Sequence, residues 1–193
     1  MTSAESDVLG RNDKRQSGPR SNWEELVAML DPKKGDRIID IGAGKGEKAD
    51  RILQAFPGTE VFAIDPSEKR VAKAKRDYPS VRSSVAGAEK LPFEDAFFDK
   101  AYSTMALHHF SDLDRALGEV ARVVRPGGSY VILEVERGSS LGRFFKFFGR
   151  VMGERMEVMT KEQLLARLGH VAGFHVVRSV RLGSRYLVQL ART

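Results

Sequence analysis

Two hydrophobic patterns alternate along the chain. Short apolar runs bounded by turn residues are typical of buried strands, whereas apolar residues three and four positions apart are typical of helices with one buried face. The first pattern predicts strands at residues 38–41, 61–64, 81–85, 98–103, 130–133, 173–180 and 186–190. The second predicts helices at residues 21–30, 47–56, 68–77, 113–124 and 160–168. The alternation predicts an α/β fold.

The ends of these elements carry recognisable signals. Residues 21–24 read Ser-Asn-Trp-Glu, a capping box that predicts the start of the first helix, and Asp31-Pro32 ends it. Pro57-Gly58 ends the second helix. Arg125-Pro126-Gly127-Gly128 predicts a sharp break before the fifth strand, and residues 182–185 predict the turn between the last two strands.

The composition is that of one globular domain, with 41% hydrophobic and 30% charged residues in a chain of 193. We expect this domain over residues 21–193, after a polar, aperiodic segment at residues 1–20 that predicts a disordered tail. No apolar run reaches the roughly 20 residues needed to span a bilayer. The first residues also lack the apolar core of a signal peptide, which predicts a cytoplasmic protein.

The chain contains no cysteine, which excludes disulfide bonds, cysteine nucleophiles and cysteine-based zinc sites. No other group of residues has the spacing of a metal site, so no metal is expected. The formal net charge is +6, and the excess lies in residues 137–193, where 11 lysines and arginines face three glutamates. This basic third is either a solvated face or a surface for an anionic partner.

The candidate chemistry begins at a glycine-rich turn after the first strand. Asp40 near the strand end is followed by Gly42, Gly44 and Gly46. The dinucleotide fingerprint requires a third glycine where Glu47 stands, and the phosphate-binding P-loop requires a Ser or Thr after Gly44-Lys45 and an earlier glycine. Both phosphate motifs are therefore excluded. An acid followed by G-x-G-x-G remains.

This pattern resembles the first motif of the class I S-adenosylmethionine-dependent methyltransferases. The resemblance extends over roughly residues 23–191 and implies a Rossmann-like, seven-stranded, mostly parallel sheet. Helices would cover both faces of the sheet, and an antiparallel hairpin would end the chain. In that family the turn, here Asp40 with Gly42, Ala43 and Gly44, holds the methionine half of the cofactor.

A second acid ends the neighbouring predicted strand. Asp65 lies 25 residues beyond Asp40, which puts it within reach of the ribose of S-adenosylmethionine, with Pro66 beside it. A carboxylate there can accept hydrogen bonds from both sugar hydroxyls. The alternative is that Asp65-Pro66-Ser67 caps the helix at residues 68–77. The two roles are compatible.

The segment at residues 86–93 resembles the family's adenine-contacting loop. Gly87 stands where the family usually has an acid, so Glu89 is the candidate for the contact with the adenine amino group. The backbone N–H of Ala88 would face a ring nitrogen. Ser103, at the end of the fourth strand, completes the residues that we assign to the cofactor.

Substrate-facing chemistry is expected after the fourth strand, at His108-His109. The pair resembles the quinone-biosynthesis and small-molecule branch of the family, in which paired histidines commonly close this strand. His108 could act as a catalytic base. The alternative is that one histidine bonds the backbone and orders the loop.

Residues 137–160 form the least conventional segment, in which Phe144, Phe145, Phe147 and Phe148 fall within five positions. We expect a lid-like insertion over an apolar or aromatic acceptor. The neighbouring Arg143, Lys146 and Arg150 also allow contact with an anionic membrane that holds a lipid-soluble acceptor. Ordinary packing of the phenylalanines is the alternative.

Together these features predict an enzyme that transfers a methyl group directly from S-adenosylmethionine to a small, apolar or aromatic acceptor. One alternative is an RNA or protein methyltransferase that uses the basic C-terminal third, although a nucleic-acid partner is not expected. Another is a non-catalytic module that binds the cofactor. The sequence leaves the acceptor and the oligomeric state open.

Overall fold

The computed structural model describes residues 20–152, 157–168 and 173–193. The tail predicted over residues 1–20 lies outside this range except for Arg20, which is exposed. Within the described residues, no helix combines the length and apolar character needed to cross a membrane.

The described strands form one sheet of seven, as predicted. The strands are β1 (Arg37–Ile41), β2 (Glu60–Asp65), β3 (Arg82–Val85), β4 (Phe98–Thr104), β5 (Val124–Val135), β6 (Phe174–Leu182) and β7 (Arg185–Arg192). Their order is β3-β2-β1-β4-β5-β7-β6. The neighbouring strands β3, β2, β1, β4 and β5 pair in parallel, and β7 is antiparallel to both β5 and β6. The predicted C-terminal hairpin is confirmed.

The described helices are α1 (Asn22–Leu30), α2 (Glu47–Ala55), α3 (Glu68–Asp77), α4 (Leu113–Val123), α5 (Ser140–Met152) and α6 (Lys161–Leu168). The predicted capping box starts α1: the Glu24 N–H donates to the Ser21 hydroxyl at 3.2 Å, and the Ser21 N–H donates to the Glu24 carboxylate at 2.8 Å. Each such cap satisfies N–H groups that a helix start leaves without partners.

Alternating side chains of the strands build a core on each face of the sheet. Ile39 and Ile41 of β1 face one layer, which includes α4 and α6, whereas Ile38 faces the other layer, with α1 and α2. Burial of these apolar side chains is the main source of stability. Helices therefore cover both faces, as the sequence predicts.

Strand β5 begins earlier than predicted. Val124 already pairs with Phe98, and the register then jumps so that Lys100 pairs with Ser129. The segment expected to break the chain is a bulge inside the strand. Gly128 allows this, because a Cβ there would lie 2.6 Å from the Asp99 carbonyl oxygen.

The sheet order brings the two central strands, β1 and β4, side by side while their connections run outward in opposite directions. The loops that follow the carboxyl ends of β1, β2, β3 and β4 therefore meet at one edge of the sheet. In open α/β sheets, ligands bind in the crevice at this switch point.

Candidate functional site

A cavity of about 490 Å³ lies at this edge, a size typical of small-molecule sites. The glycine turn, the start of the β2–α3 connection, the loop after β3 and the segment after β4 form its walls. Of the predicted cofactor residues, the lining contains Gly42, Ala43, Gly44, Asp65, Pro66, Gly87, Ala88 and Glu89. The topology thus brings eight dispersed positions together.

The glycine turn is fixed by internal hydrogen bonds. Gly42 and Ala43 donate their N–H groups to the Ile64 carbonyl at 2.9 and 2.8 Å, and Gly44 donates to Asp65. The N–H groups of these three residues are therefore engaged within the protein. The helix α2 that follows has no side-chain cap on its first turn.

Two glycines of the turn serve different purposes. Gly42 has a φ of +78°, and a Cβ there would lie 2.5 Å from the Cβ of Ala106, so the close approach of the two segments requires glycine. Gly44 also has a positive φ, of +59°, but no atom lies within 4 Å of where its Cβ would be. Its neighbourhood is open space in the cavity wall.

Asp65 is buried at the end of β2 and held from two sides. Its Oδ2 accepts from the Gly44 N–H and its Oδ1 accepts from the Ser67 N–H, both at 2.9 Å, while the Arg70 guanidinium lies 3.7 Å from Oδ2. Each carboxylate oxygen can accept two hydrogen bonds, so acceptor capacity remains. The helix cap is Ser67, whose hydroxyl accepts from the Arg70 N–H.

Asp40 lies beneath the turn, outside the cavity lining. It is fully buried, and neither carboxylate oxygen has a hydrogen-bond partner among the described residues. Burial raises the pKa of Asp40 to about 7, although the charge of Lys48 and the neighbouring Tyr102 oppose the rise. The acid is thus a titrating group near neutral pH.

Glu89 connects the loop after β3 to the segment before α4. Its Oε1 accepts from the Ser111 N–H at 2.7 Å, the Ser111 hydroxyl at 2.9 Å and the Asp112 N–H at 3.3 Å. Burial alone would raise the pKa of Glu89, but these hydrogen bonds lower it below its usual value. The Oε1 atom of Glu89 therefore orders the loop, and the predicted hydrogen bond to the adenine amino group would be made by the other carboxylate oxygen, Oε2.

Arg122 of α4 holds the same loop from behind. Its guanidinium donates to the carbonyls of Leu91 at 3.0 Å and Phe93 at 2.8 Å. It also pairs with Glu119, which in turn accepts from the Leu91 N–H at 2.8 Å. This network fixes the cavity wall formed by residues 86–89.

Besides Asp40, two predicted site residues lie away from the cavity lining. Ser103 is fully buried and shares a 2.8 Å hydrogen bond with the hydroxyl of Tyr130. His108 is buried, with its Nδ1 2.8 Å from the Glu134 carboxylate, whereas its neighbour His109 lines the cavity. The short 3₁₀ helix over Leu107–His109 explains this, because consecutive side chains point in different directions. His108 therefore lies outside the cavity lining with its ring bonded to Glu134, and its role as a catalytic base stays a prediction.

Sequence reasoning missed several lining residues, including Glu47, Lys48, Thr104 and Met105. Glu47 and Lys48 directly follow the glycine pattern, at the start of a helix. The tendency of helix N-termini to face bound ligands is the sequence signal that could have identified them. Met105 has a φ of +55° and donates its N–H to the Leu133 carbonyl at 2.8 Å. A strained backbone of this kind is common at functional sites and has no signature in the sequence.

A second cavity, of about 340 Å³, adjoins the first. The two share Glu47, Lys48, Thr104 and Met105 in their linings. The second cavity extends from there to Trp23, Arg51, Leu133 and Arg185. The two cavities are therefore neighbours along these four residues.

Comparison with known proteins gives consistent relatives. Residues 39–132 match a family described as a methyltransferase domain. O-methyltransferase rstn1 of Aspergillus nomiae is 32% identical over 165 residues, which are 79% of this chain and 70% of the relative. Demethylmenaquinone methyltransferase of Thermus thermophilus is 37% identical over 122 residues, 61% of this chain and 56% of the relative.

The fold is also that of solved methyltransferases. An S-adenosylmethionine-dependent methyltransferase from Mesorhizobium loti superposes with a TM-score of 0.76 at 24% identity, covering 88% of this chain and 97% of the other. Several other curated relatives are longer, and the chain spans 40–60% of their length.

Proposed function

The chain belongs to the methyltransferase domain family, and from that premise we propose that it transfers a methyl group from S-adenosylmethionine to a small-molecule acceptor. The observation that carries this proposal is the junction of the two cavities at Glu47, Lys48, Thr104 and Met105. The first cavity suits the cofactor and the second suits an acceptor. A methyl group would pass between them at the junction.

The residues around the first cavity fit S-adenosylmethionine. The open space at Gly44 leaves room for the methionine half, and the remaining acceptor capacity of Asp65 suits the ribose hydroxyls. Gly87, Ala88 and Glu89 would flank the adenine. Phosphate-bearing cofactors fit less well, because the sequence has no phosphate motif.

When bound, S-adenosylmethionine supplies a methyl group on a sulfonium that is already activated towards a nucleophile. The chain then has to align the acceptor and keep water out. Met105, held by its bond to the Leu133 carbonyl, forms part of the junction wall. Glu47 borders both cavities and is the carboxylate that we assign to receive a proton from the acceptor. His108 lines neither.

We further propose an acceptor with apolar or aromatic character. Trp23, Met105 and Leu133 give the second cavity apolar walls. Helix α5, which follows β5 at the same edge of the sheet, would act as its lid. This agrees with the demethylrifamycin and demethylmenaquinone that appear in the names of two relatives.

The apolar face of α5 supports the lid. Phe144, Phe147 and Val151 are exposed by 59, 68 and 65%, and their spacing places them along one side of the helix. Gly142 fixes the start of the helix, since a Cβ there would lie 2.2 Å from the Glu136 carbonyl oxygen. The side chains of Phe145 and Phe148 lie outside the described residues. With Arg143 nearby, the same face suits an anionic membrane that holds a lipid-soluble acceptor.

A matched pair of variants tests the lid. Phe147→Ser removes an exposed ring from α5, whereas Val177→Ser removes an apolar side chain, exposed by 54%, from β6. We expect Phe147→Ser alone to reduce turnover of apolar acceptors and sedimentation with anionic vesicles. If neither quantity changes, α5 is not a lid or a membrane contact.

The alternative of an RNA or protein substrate receives less support. Several arginines of the basic third are engaged in ion pairs: Arg167 with Asp114 and Glu157, Arg178 with Glu25, and Arg181 with Glu136 and Glu162. Arg192 donates to the Ala121 carbonyl. The paired arginines stabilise the fold. Because carboxylates partly neutralise them, the positive electrostatic potential available to attract a polyanion is weaker.

Transfer of labelled methyl groups tests the proposal. The protein is incubated with methyl-labelled S-adenosylmethionine and panels of phenols, quinols, carboxylic acids, total RNA and protein. We expect label on small molecules only. Label on RNA or protein would support the alternative substrate classes, and cofactor binding without transfer to any panel would support a non-catalytic module.

A further inference from the structure

The second cavity has a strongly one-sided charge. Its wall contains the cationic side chains of Lys48, Arg51 and Arg185, and its acidic lining residue is Glu47. An apolar acceptor alone gives no reason for three cations around a space of about 340 Å³. The excess of positive charge points to a ligand that carries negative charge.

Two of these cations are available to a ligand. Neighbouring arginines are engaged, as in the pair between Arg178 and Glu25 at 2.6 Å. By contrast, within the described part of the chain neither Lys48 nor Arg185 forms a salt bridge. Arg51 is different, because its guanidinium lies 4.5 Å from the centre of the Trp23 ring. It stiffens the aromatic wall by a cation–π contact.

The positions of these groups divide the cavity into two ends. Lys48 belongs to both cavities and therefore marks the junction where the methyl group would arrive. Arg185 begins β7 and lies outside the lining of the first cavity, so it marks the far end. Trp23 and Leu133 supply the apolar wall of the same cavity.

We propose that the second cavity recognises an amphipathic anion, in which Arg185 binds a carboxylate or phosphate group at the far end and Trp23 contacts the apolar part. This inference rests on the proposed function, since it names the chemical class of the acceptor. An arginine binds both kinds of anion through paired N–H groups, which makes Arg185 the main determinant of specificity.

The fluorescence of Trp23, the only tryptophan of the chain, reports binding in this cavity without any need for turnover. The probes are octanoate, octyl phosphate and neutral octanamide, which share an apolar chain and do not absorb at the excitation wavelength. The protein is saturated with S-adenosylhomocysteine. We expect at least one of the two anions to change the fluorescence with a dissociation constant about tenfold lower than that of octanamide. A tenfold difference in affinity corresponds to the typical free energy of one hydrogen bond to a charged group.

Three variants assign the preference to its residue. Arg185→Gln should abolish the preference for the anion, and Arg185→Lys, which keeps the charge but not the paired N–H groups, should retain part of it. Lys75→Gln, on the exposed face of α3, should behave as the wild type because it removes an equal charge far from the cavity lining. Circular dichroism confirms that each variant is folded.

Equal binding of octanamide and both anions, no response of Trp23 to any probe, or an unchanged preference in folded Arg185→Gln would each overturn the inference. Calorimetry with S-adenosylhomocysteine separates this failure from failure of the proposed function. A protein that binds S-adenosylhomocysteine without an anion preference refutes the inference alone. A protein that does not bind it refutes the proposed function.

Discussion

Asp65 connects two elements of the fold and also lines the first cavity, where we propose that it binds the cofactor. It accepts hydrogen bonds from the N–H groups of Gly44 and Ser67, so it joins the glycine turn to the start of α3. The sequence left two roles open for this acid, ribose binding and helix capping. In the structure the side chain of Ser67 caps the helix. Asp65 instead bonds to the glycine turn and lines the cavity.

Replacement of Asp65 by alanine should weaken the binding of S-adenosylhomocysteine by about 1.5–3 kcal/mol, the usual value of hydrogen bonds to a charged group. Calorimetric titration measures the change. Ser67→Ala is the matched control: it should lower the free energy of unfolding by about 1 kcal/mol through loss of the cap and leave affinity unchanged. Unchanged affinity in Asp65→Ala would assign Asp65 to structure alone.

Asp40 makes the stability of the protein depend on pH in an unusual direction. Its pKa is raised from 3.8 to about 7 in the folded protein by burial. The neutral form is therefore favoured by folding, and the corresponding stability is present below the unfolded pKa and is lost as the pH rises towards 7. A paired or hydrogen-bonded surface carboxylate has the opposite effect.

Asp40→Asn should remove this loss of folding stability with rising pH, because asparagine does not titrate. Denaturant unfolding of wild type and variant at pH 4, 5.5 and 8 gives the difference, and we expect the variant to gain on the order of 4 kcal/mol relative to wild type between pH 4 and 8. Asp99→Asn is the opposite control, because the pKa of Asp99 is lowered in the folded protein. A constant difference between Asp40→Asn and wild type would show that Asp40 does not titrate in this range.

At the level of single elements, helix α4 fixes one wall of the first cavity through Arg122. Replacing Arg122 by methionine should leave the carbonyls of Leu91 and Phe93 without donors and loosen residues 86–93. We expect faster amide exchange in this loop. The dissociation constant for S-adenosylhomocysteine should rise roughly three- to tenfold, because the loosened loop would lose about one contact to the ligand, worth about 1 kcal/mol.

Arg125→Met provides the control for Arg122→Met. Arg125 pairs with Asp99 at 2.6 Å, next to the bulge at the start of β5, and lies outside both cavity linings. Hydrogen exchange in residues 86–93 should stay as in the wild type. Equal effects of both variants would mean that Arg122 acts on overall stability and not on the loop.

Helix α4 also contains a glycine that the fold does not require. Gly118 lies on its exposed face, and no atom lies within 4 Å of where a Cβ would be. Gly118→Ala should therefore raise the free energy of unfolding by about 0.5–1 kcal/mol, through helix propensity and reduced freedom of the unfolded chain. Chemical unfolding measures it, and a loss of stability would indicate that the helix surface packs more tightly than described.

The sequence predicted the positions of strands and helix caps better than bulges and side-chain orientations. The former depend on local patterns, whereas the latter depend on contacts between distant residues. Apolar runs and spacing are local, so they located all seven strands and the helix caps, such as Ser21 and Glu24. The bulge in β5 depends on a long-range contact of Gly128 with β4, which no local pattern contains. The orientation of His108 depends on a short 3₁₀ helix in the same way.

At the scale of the whole molecule, the order of strands determines the site. Four loops that are far apart in the sequence meet because β1 and β4 are neighbours at the centre of the sheet. The first cavity could be predicted, since its motifs resemble those of a known family. The second could not, because Trp23, Lys48, Leu133 and Arg185 belong to four separate elements and form no motif.

The central claim is that the cavity at the glycine turn binds S-adenosylmethionine and not a nucleotide with phosphates. Calorimetric titration of the protein with S-adenosylmethionine, S-adenosylhomocysteine, NAD and ATP tests it most directly. We expect saturable binding of the first two ligands with one site per chain, weaker binding of both in Asp65→Ala, and no measurable binding of NAD or ATP. Tight binding of NAD or ATP, or no binding of S-adenosylmethionine and S-adenosylhomocysteine, would contradict it.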